Sequence, residues 1–228
     1  MELSPLLDAA KKGDMSELER LSEDDIDINE TAKNGVTALM LAAENNNVEA
    51  VDYLLNEGAD VNATTSMGGT AMSRAAENGH VEIIKKLLDN GAKAADIALI
   101  AAARAGNVDA VKLLIENGAN KNAEQRWGLT PLMLAAREGH TDVVTYLLNN
   151  KARVKVKDKN GNSALSLALD NDHVDIASQL RRAGAKADAA ESEDELDDED
   201  SEDLLDTDDY DDLIDEEEIP EDIDLEED

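Results

Sequence analysis

Few side chains in this sequence could do chemistry, and their spacing argues against catalysis. His80, His140 and His173 are the only histidines. Imidazole titrates nearest neutrality, so these three would be the first choices for a general base or a metal ligand. They recur at one place in a repeating pattern, each directly after a turn residue (Gly79, Gly139, Asp172), as duplication of a structural unit would produce. There is no cysteine, which excludes disulfides, thiolate metal sites and cysteine nucleophiles. No H-x-x-x-H pair offers the geometry of a helical zinc site, and no glycine-rich loop could cradle a phosphate. Carboxylates are abundant, yet none falls in the calcium-loop spacing with its central glycine. The expectation is a protein that is not an enzyme and uses no cofactor or metal.

What remains is the chemistry of charge and of exposed aromatics. The net charge of −33 is unevenly distributed. Residues 1–120 carry 10 basic and 21 acidic side chains, a net of −11. Residues 121–186 carry 11 and 7, a net of +4, and residues 187–228 carry 26 acidic groups and no basic one. Lys151, Arg153, Lys155, Lys157 and Lys159 alternate at period two, so an extended segment would set them on one side. Of these, Lys151, Arg153 and Lys155, with Arg181, Arg182 and Lys186, make a basic end to the folded part. Nucleic-acid binding through a net of +4 over 66 residues is poorly supported, and the −26 segment opposes it. Trp127, the only tryptophan, follows Arg126. Those two types are enriched where proteins bind one another.

The segment Gly128–Ala152 reveals the element that positions these groups. Thr130 is a helix N-cap and Pro131 stands at the first helical position. Gly139 supplies a left-handed reversal, and Val143, Val144, Leu147 and Leu148 stripe one face of a second helix. Aligned on the second alanine of Ala135-Ala136, the unit recurs at Ala10, Ala43, Ala76, Ala103, Ala136 and Leu169. The spacing is 33 residues except between Ala76 and Ala103, where it is 27. The turn between helices reads Gly13, Asn46, Gly79, Gly106, Gly139 and Asp172, the types that best tolerate positive φ. The position after the second helix reads Asp25, Gly58, Gly91, Gly118, Lys151 and Gly184. With no Phe and three Tyr, a large aromatic core is not expected, and the Ala and Leu content suits short helices stacked in one dimension.

Through Thr130-Pro131-Leu132, Gly139-His140 and Gly58-Ala59-Asp60-Val61-Asn62, the sequence resembles ankyrin-repeat proteins over roughly residues 2–186. The resemblance implies an all-α solenoid of helix–turn–helix units with β-hairpin-like fingers. Its repeats fall at about 2–25, 35–60, 68–93, 94–120, 128–153 and 161–186, in a domain spanning 1–186. Charged residues on the second helix of the first repeat, such as Glu17, Glu19 and Arg20, suit a terminal cap. The His that follows Thr-Pro-Leu in the family is replaced by Leu7, Met40, Ser73, Ile100, Met133 and Ser166. Inter-repeat hydrogen bonds must therefore be made elsewhere or lost. The resemblance implies a concave groove that binds another protein, and its variable positions fall at Lys33, Asn34, Val36, Met67, Arg104, Arg126, Trp127, Leu129 and Arg137. Small acidic-tailed members of the family escort basic clients, which implies a chaperone-like partner of basic proteins. The alternative is a regulatory or inhibitory subunit, including mimicry of nucleic acid by the acidic tail.

Three departures carry further expectations. Only six residues separate Gly91 from Ile97, the counterpart of the helix-starting Thr, against twelve from Gly58 to Thr70. The missing six would build a finger, so a notch is expected between repeats three and four, either tolerated variation or room for part of a partner. Arg74, beside the notch, occupies a position held elsewhere by Leu41, Leu134 and Leu167, and should be paired or reach solvent. Residues 187–228 should be a disordered acidic tail, with apolar residues such as Leu204, Tyr210 and Ile214 among the carboxylates. Its 26 negative charges are expected to visit the basic end in a salt-dependent way. The start Met1-Glu2-Leu3-Ser4-Pro5 lacks the features of a secretory signal, and no apolar run reaches the length of a membrane span. A monomer in the cytoplasm is expected, or in the nucleus if the host is eukaryotic.

Overall fold

The computed structural model describes residues 3–24, 26–93 and 95–186. They form α1 (Pro5–Lys12), α2 (Met15–Glu23), α3 (Ala38–Glu44), α4 (Val48–Asn56), α5 (Ala71–Glu77) and α6 (Val81–Asp89). These are followed by α7 (Ala95–Ala105), α8 (Val108–Glu116), α9 (Pro131–Arg137), α10 (Thr141–Asn149), α11 (Ala164–Asp170) and α12 (Val174–Arg182). Each odd-numbered helix pairs with the even-numbered helix that follows it across a short turn. The odd-numbered helices pack on one another in one row and the even-numbered helices in a second. No helix among the described residues is long and apolar enough to cross a membrane. The acidic tail lies outside the described residues.

Local chemistry sets where each helix begins. Ser4, Thr37, Thr70, Thr130 and Ser163 are N-caps whose hydroxyls accept the backbone N–H three residues on. At Thr70 and Ser163 the partners Ser73 and Ser166 return a hydroxyl to the cap N–H at 2.9 Å, closing a capping box. Serine in place of the family His thus fastens the helix start. Met133 Sδ accepts the Thr130 N–H more weakly at 3.5 Å.

One set of inter-repeat hydrogen bonds is made at the turn between paired helices. Asn47 Nδ2 donates to the Ala10 and Lys11 carbonyls, both at 2.9 Å, and Asn107 Nδ2 does the same to Ala76 and Glu77. His80, His140 and His173 reach the Glu44, Arg104 and Arg137 carbonyls with Nε2 at 2.9–3.1 Å. A carbonyl only accepts, so Nε2 carries the proton in each. The three histidines are therefore committed to stitching one pair to the next.

The core is built by size selection along the same period. Ala42, Ala43, Ala75, Ala76, Ala102, Ala103, Ala135 and Ala136 are fully buried, and their small side chains let successive odd-numbered helices approach closely. Leu54, Leu87, Leu114, Leu147 and Leu180 fill the space beneath the even-numbered row, each fully buried. At the turn, Gly139 has φ +81°, and a Cβ there would lie 2.6 Å from the His173 ring. The site excludes a side chain twice over, by backbone and by neighbour. Gly58, Gly91, Gly118 and Gly184, after the even-numbered helices, are also left-handed, and Lys151 adopts φ +59° among them, as its place in the alignment requires.

At the short spacing the structure departs from the sequence expectation. Ile97 does not cap a helix: α7 starts two residues earlier, at Ala95, and runs for 11 residues where α5 and α9 run for 7. With no finger to build, the alanine-rich connection continues the helix backward by about a turn. Asp96 in that added turn accepts the Asn120 N–H at 2.7 Å. Asn29, Asn62 and Asn122 play the same part toward Asp60, Lys93 and Arg153 at 2.7–2.9 Å. A carboxylate on a helix thereby replaces an amide on a finger, and the ladder of inter-pair bonds continues through the defect.

Candidate protein-binding surface

Four fingers stand beside the odd-numbered helices, each closed by one backbone pattern. Ala32, Thr65, Gln125 and Asp158 donate to the carbonyls of Val36, Gly69, Leu129 and Asn162. Gly35, Gly68, Gly128 and Gly161 donate back to Ala32, Thr65, Gln125 and Asp158. Only isolated bridges, Thr31–Thr37 and Lys157–Ser163, mark their bases, so they are tight turns without named strands among the described residues. Neighbouring fingers are tied to each other. The Ser66 N–H donates to the Asn34 carbonyl at 3.0 Å, and the Lys159 N–H to the Trp127 carbonyl at 2.9 Å. Between the second finger and the one at 125–129 no finger stands, and the expected notch is present.

Seven of the nine positions singled out from the sequence reach the surface. Lys33 and Asn34 are exposed on the first finger. Met67 tips the second and is 96% exposed. Arg126 and Trp127 tip the third. The indole is 57% exposed, with the Arg126 guanidinium 5.9 Å from its ring centroid. Arg104 and Arg137 end α7 and α9. Val36 and Leu129, 6% and 9% exposed, turn inward and pack in the core beneath their fingers, with an edge of Leu129 left on the cleft beside Trp127. Five of these surface positions line two clefts. Asn34, Met67 and Arg104 line one of about 440 Å³ at the notch, and Trp127 and Arg137 line one of about 340 Å³ beside Asp158 and Asn162.

Charges on this side are largely cancelled in place. Arg74 pairs with Glu44, as its half-buried position demands, although its Nε is buried without a hydrogen-bond partner. Arg104 pairs with Glu77 at 2.7 Å and Arg137 with Glu138 at 2.8 Å. Asp158 is a buried carboxylate in the last finger. Burial pushes its pKa up, but N–H donors of Asn162 and Asn160 at 2.8 Å and the Asn162 amide at 3.1 Å outweigh that and hold it below the usual range. The basic end differs. Lys151, Arg153, Lys155, Lys159, Arg181, Arg182 and Lys186 are exposed, and none makes an ion pair among the described residues. Among those residues no cluster of three or more His, Asp or Glu could hold a metal.

Sequence reasoning passed over Ile97, which it placed as a cap counterpart. It is 46% exposed and lines the notch with Met67. The signal was the shortened spacing itself, since losing a finger uncovers what the finger would have covered. Glu44 and Glu77, the partners that neutralise Arg74 and Arg104, were also overlooked. They stand 30 and 27 residues upstream, one unit back, and become visible when the repeats are written one under another.

Comparison with known proteins agrees with this geometry. The family model "Ankyrin repeats (3 copies)" matches residues 6–98 and again 98–191. No curated protein sequence matches the chain. Among solved structures, the human ASB11 ankyrin repeat domain superposes with a TM-score of 0.74 at 28% identity, covering 81% of this chain and 85% of that one. A chain in the complex of the Bd0816 predatory endopeptidase from Bdellovibrio bacteriovorus with immunity protein Bd3460 gives a TM-score of 0.71 at 27% identity. That match covers 80% of this chain and 99% of that chain. Ankyrin repeats are scaffolds for protein–protein interaction, and on the family match, the paired helices and the finger row, this chain belongs to the ankyrin-repeat family.

Proposed function

We propose that this chain is a non-enzymatic, monomeric binding module that captures and chaperones a basic client protein. The groove between fingers and odd-numbered helices supplies shape, and residues 187–228 supply charge. The observation that carries the reading is that acidic segment, 26 carboxylates with no cation among them. Such a segment raises the encounter rate with a cationic protein and masks its charge, and it repels nucleic acid. The groove complements it, because Arg74, Arg104 and Arg137 are neutralised by Glu44, Glu77 and Glu138 and leave much of recognition to apolar tips. We place the repeat domain at 1–186, with six repeats, and the tail at 187–228.

Affinity purification from the native host tests the reading, using the intact chain, a chain lacking 188–228, and Trp127→Ala. A Lys- and Arg-rich protein should be retained by the intact chain and reduced by both changes, while the truncated chain still melts cooperatively. Equal recovery of an acidic or neutral partner by all three would refute it. The second reading is an inhibitory subunit, whose tail would occupy the nucleic-acid site of a target enzyme. Its inhibitory part draws on the likeness to a chain of an endopeptidase–immunity protein complex, and the part given to the tail rests on charge alone. A stoichiometric loss of the captured partner's activity would favour it.

A further inference from the structure

Where fingers stand at full spacing, one bond joins them. The residue two before a finger's glycine donates its N–H to the carbonyl of the residue just before the previous finger's glycine. Ser66 does this to Asn34, and Lys159 does it to Trp127. At the notch the two halves of the same bond face each other with no finger between. The Met67 carbonyl receives no N–H and the Arg126 N–H finds no acceptor among the described residues. The carbonyl and the N–H are separated by two steps along the stack, roughly 16–20 Å at 8–10 Å per helix spacing. Between them lies the 440 Å³ cleft, with Met67 and Ile97 uncovered on its wall and floor and the Arg104–Glu77 ion pair beside them.

From this we infer that the notch is a docking slot for a tight turn of the partner protein, which takes the place of the missing finger. The turn donates an N–H to the Met67 carbonyl and accepts the Arg126 N–H, extending the hydrogen-bonded row as added strands extend a sheet edge. Its tip carries an apolar, uncharged side chain. Met67 and Ile97 offer apolar surface that gains only when covered, and Arg74 and Arg104 beside them already have carboxylate partners, while the Arg126 guanidinium lies over the Trp127 ring. The missing finger and the longer α7 point the same way, since together they open the slot without breaking the ladder beneath it. The inference rests on the protein-binding reading and adds where and how the partner's backbone is held. The client's cations are left to the acidic tail.

The probe is a cyclic peptide copying residues 62–70, the chain's own preceding finger with its uncharged Met67 tip, titrated into the full chain labelled with ¹⁵N and with ¹³C-methyl groups. The Arg126 amide should move downfield and exchange more slowly, the Met67 and Ile97 methyl signals should shift, and the response should persist in high salt. Met67→Asp, Ile97→Asp and Arg126→Pro should each weaken the peptide at least tenfold without changing the melting temperature. No shift at millimolar peptide, shifts confined to other surfaces, or unweakened binding by the two aspartate variants would each overturn the slot. If a basic client is captured and excess peptide does not displace it, the slot fails while the client reading stands. If the peptide binds at the slot and no basic client is found, the client reading fails while the slot stands.

Discussion

The helical stack and the finger row share one period but are held by different forces. In the stack, leucines and alanines at that period are fully buried, and Asn and His side chains tie each pair to the one before. In the fingers, single backbone bonds hold tips whose side chains remain in solvent, with Met67 and Trp127 the extreme cases. The notch separates the two. Removing six residues deletes a finger, yet α5 and α7 pack more extensively than any other neighbouring helices, and Asp96 keeps the ladder intact. The stack therefore carries stability, and the finger row is free to vary for recognition.

The division breaks first, if it is wrong, in the stack. Leu147→Ala removes a fully buried side chain and should cost about 2–5 kcal/mol in denaturant unfolding, with binding by the folded fraction unchanged. A cost well below 1 kcal/mol would mean the stack is not where stability resides. Trp127→Ala is the counterpart among the fingers. It should lower partner affinity by about 2 kcal/mol or more and leave the melting temperature nearly unmoved. Loss of stability with affinity intact would turn the indole into a packing residue.

Smaller effects sharpen the boundary. Lys151 holds a left-handed backbone, so Lys151→Gly should stabilise the free protein by about 1 kcal/mol, and a lower melting temperature would contradict that. Asp158 titrates below its unfolded value of about 3.9. A carboxylate with a depressed folded pKa contributes stability above the unfolded pKa and loses it as pH falls through the folded one. Asp158→Asn should therefore flatten the acid limb of the melting-temperature profile below about pH 4 and leave its shape near neutrality unchanged. Parallel profiles for the two proteins would show that the finger's hydrogen bonds do not favour the charged form.

Much of this was legible in the sequence because period and backbone chemistry travel together. Residues that tolerate positive φ, recurring with the Ala-Ala pair, located both rows of left-handed turns, down to Lys151. Missing residues located the notch, and Arg74's position implied that it is paired or reaches solvent. What escaped was set by neighbours. Val36 and Leu129 are variable in type but sit beneath their fingers, and sequence alone does not say which way a finger residue points. Ile97 looked like a cap because the alignment assigned it one. The alanine-rich connection, freed of its finger, extended the helix past it. The Met67 carbonyl and Arg126 N–H could not be foreseen, because an unpaired backbone group is defined by an absent neighbour and has no residue signature.

The central claim is that the groove holds the client and the acidic tail brings it in, and association kinetics test it most directly. The captured client should be measured against the intact chain and against one lacking 188–228, at low and near-physiological salt. The account predicts that truncation lowers the association rate severalfold at low salt, that the difference shrinks as salt is raised, and that the dissociation rate stays within a factor of two. A truncation that leaves the association rate unchanged at low salt, or acts on dissociation alone, would contradict the claim.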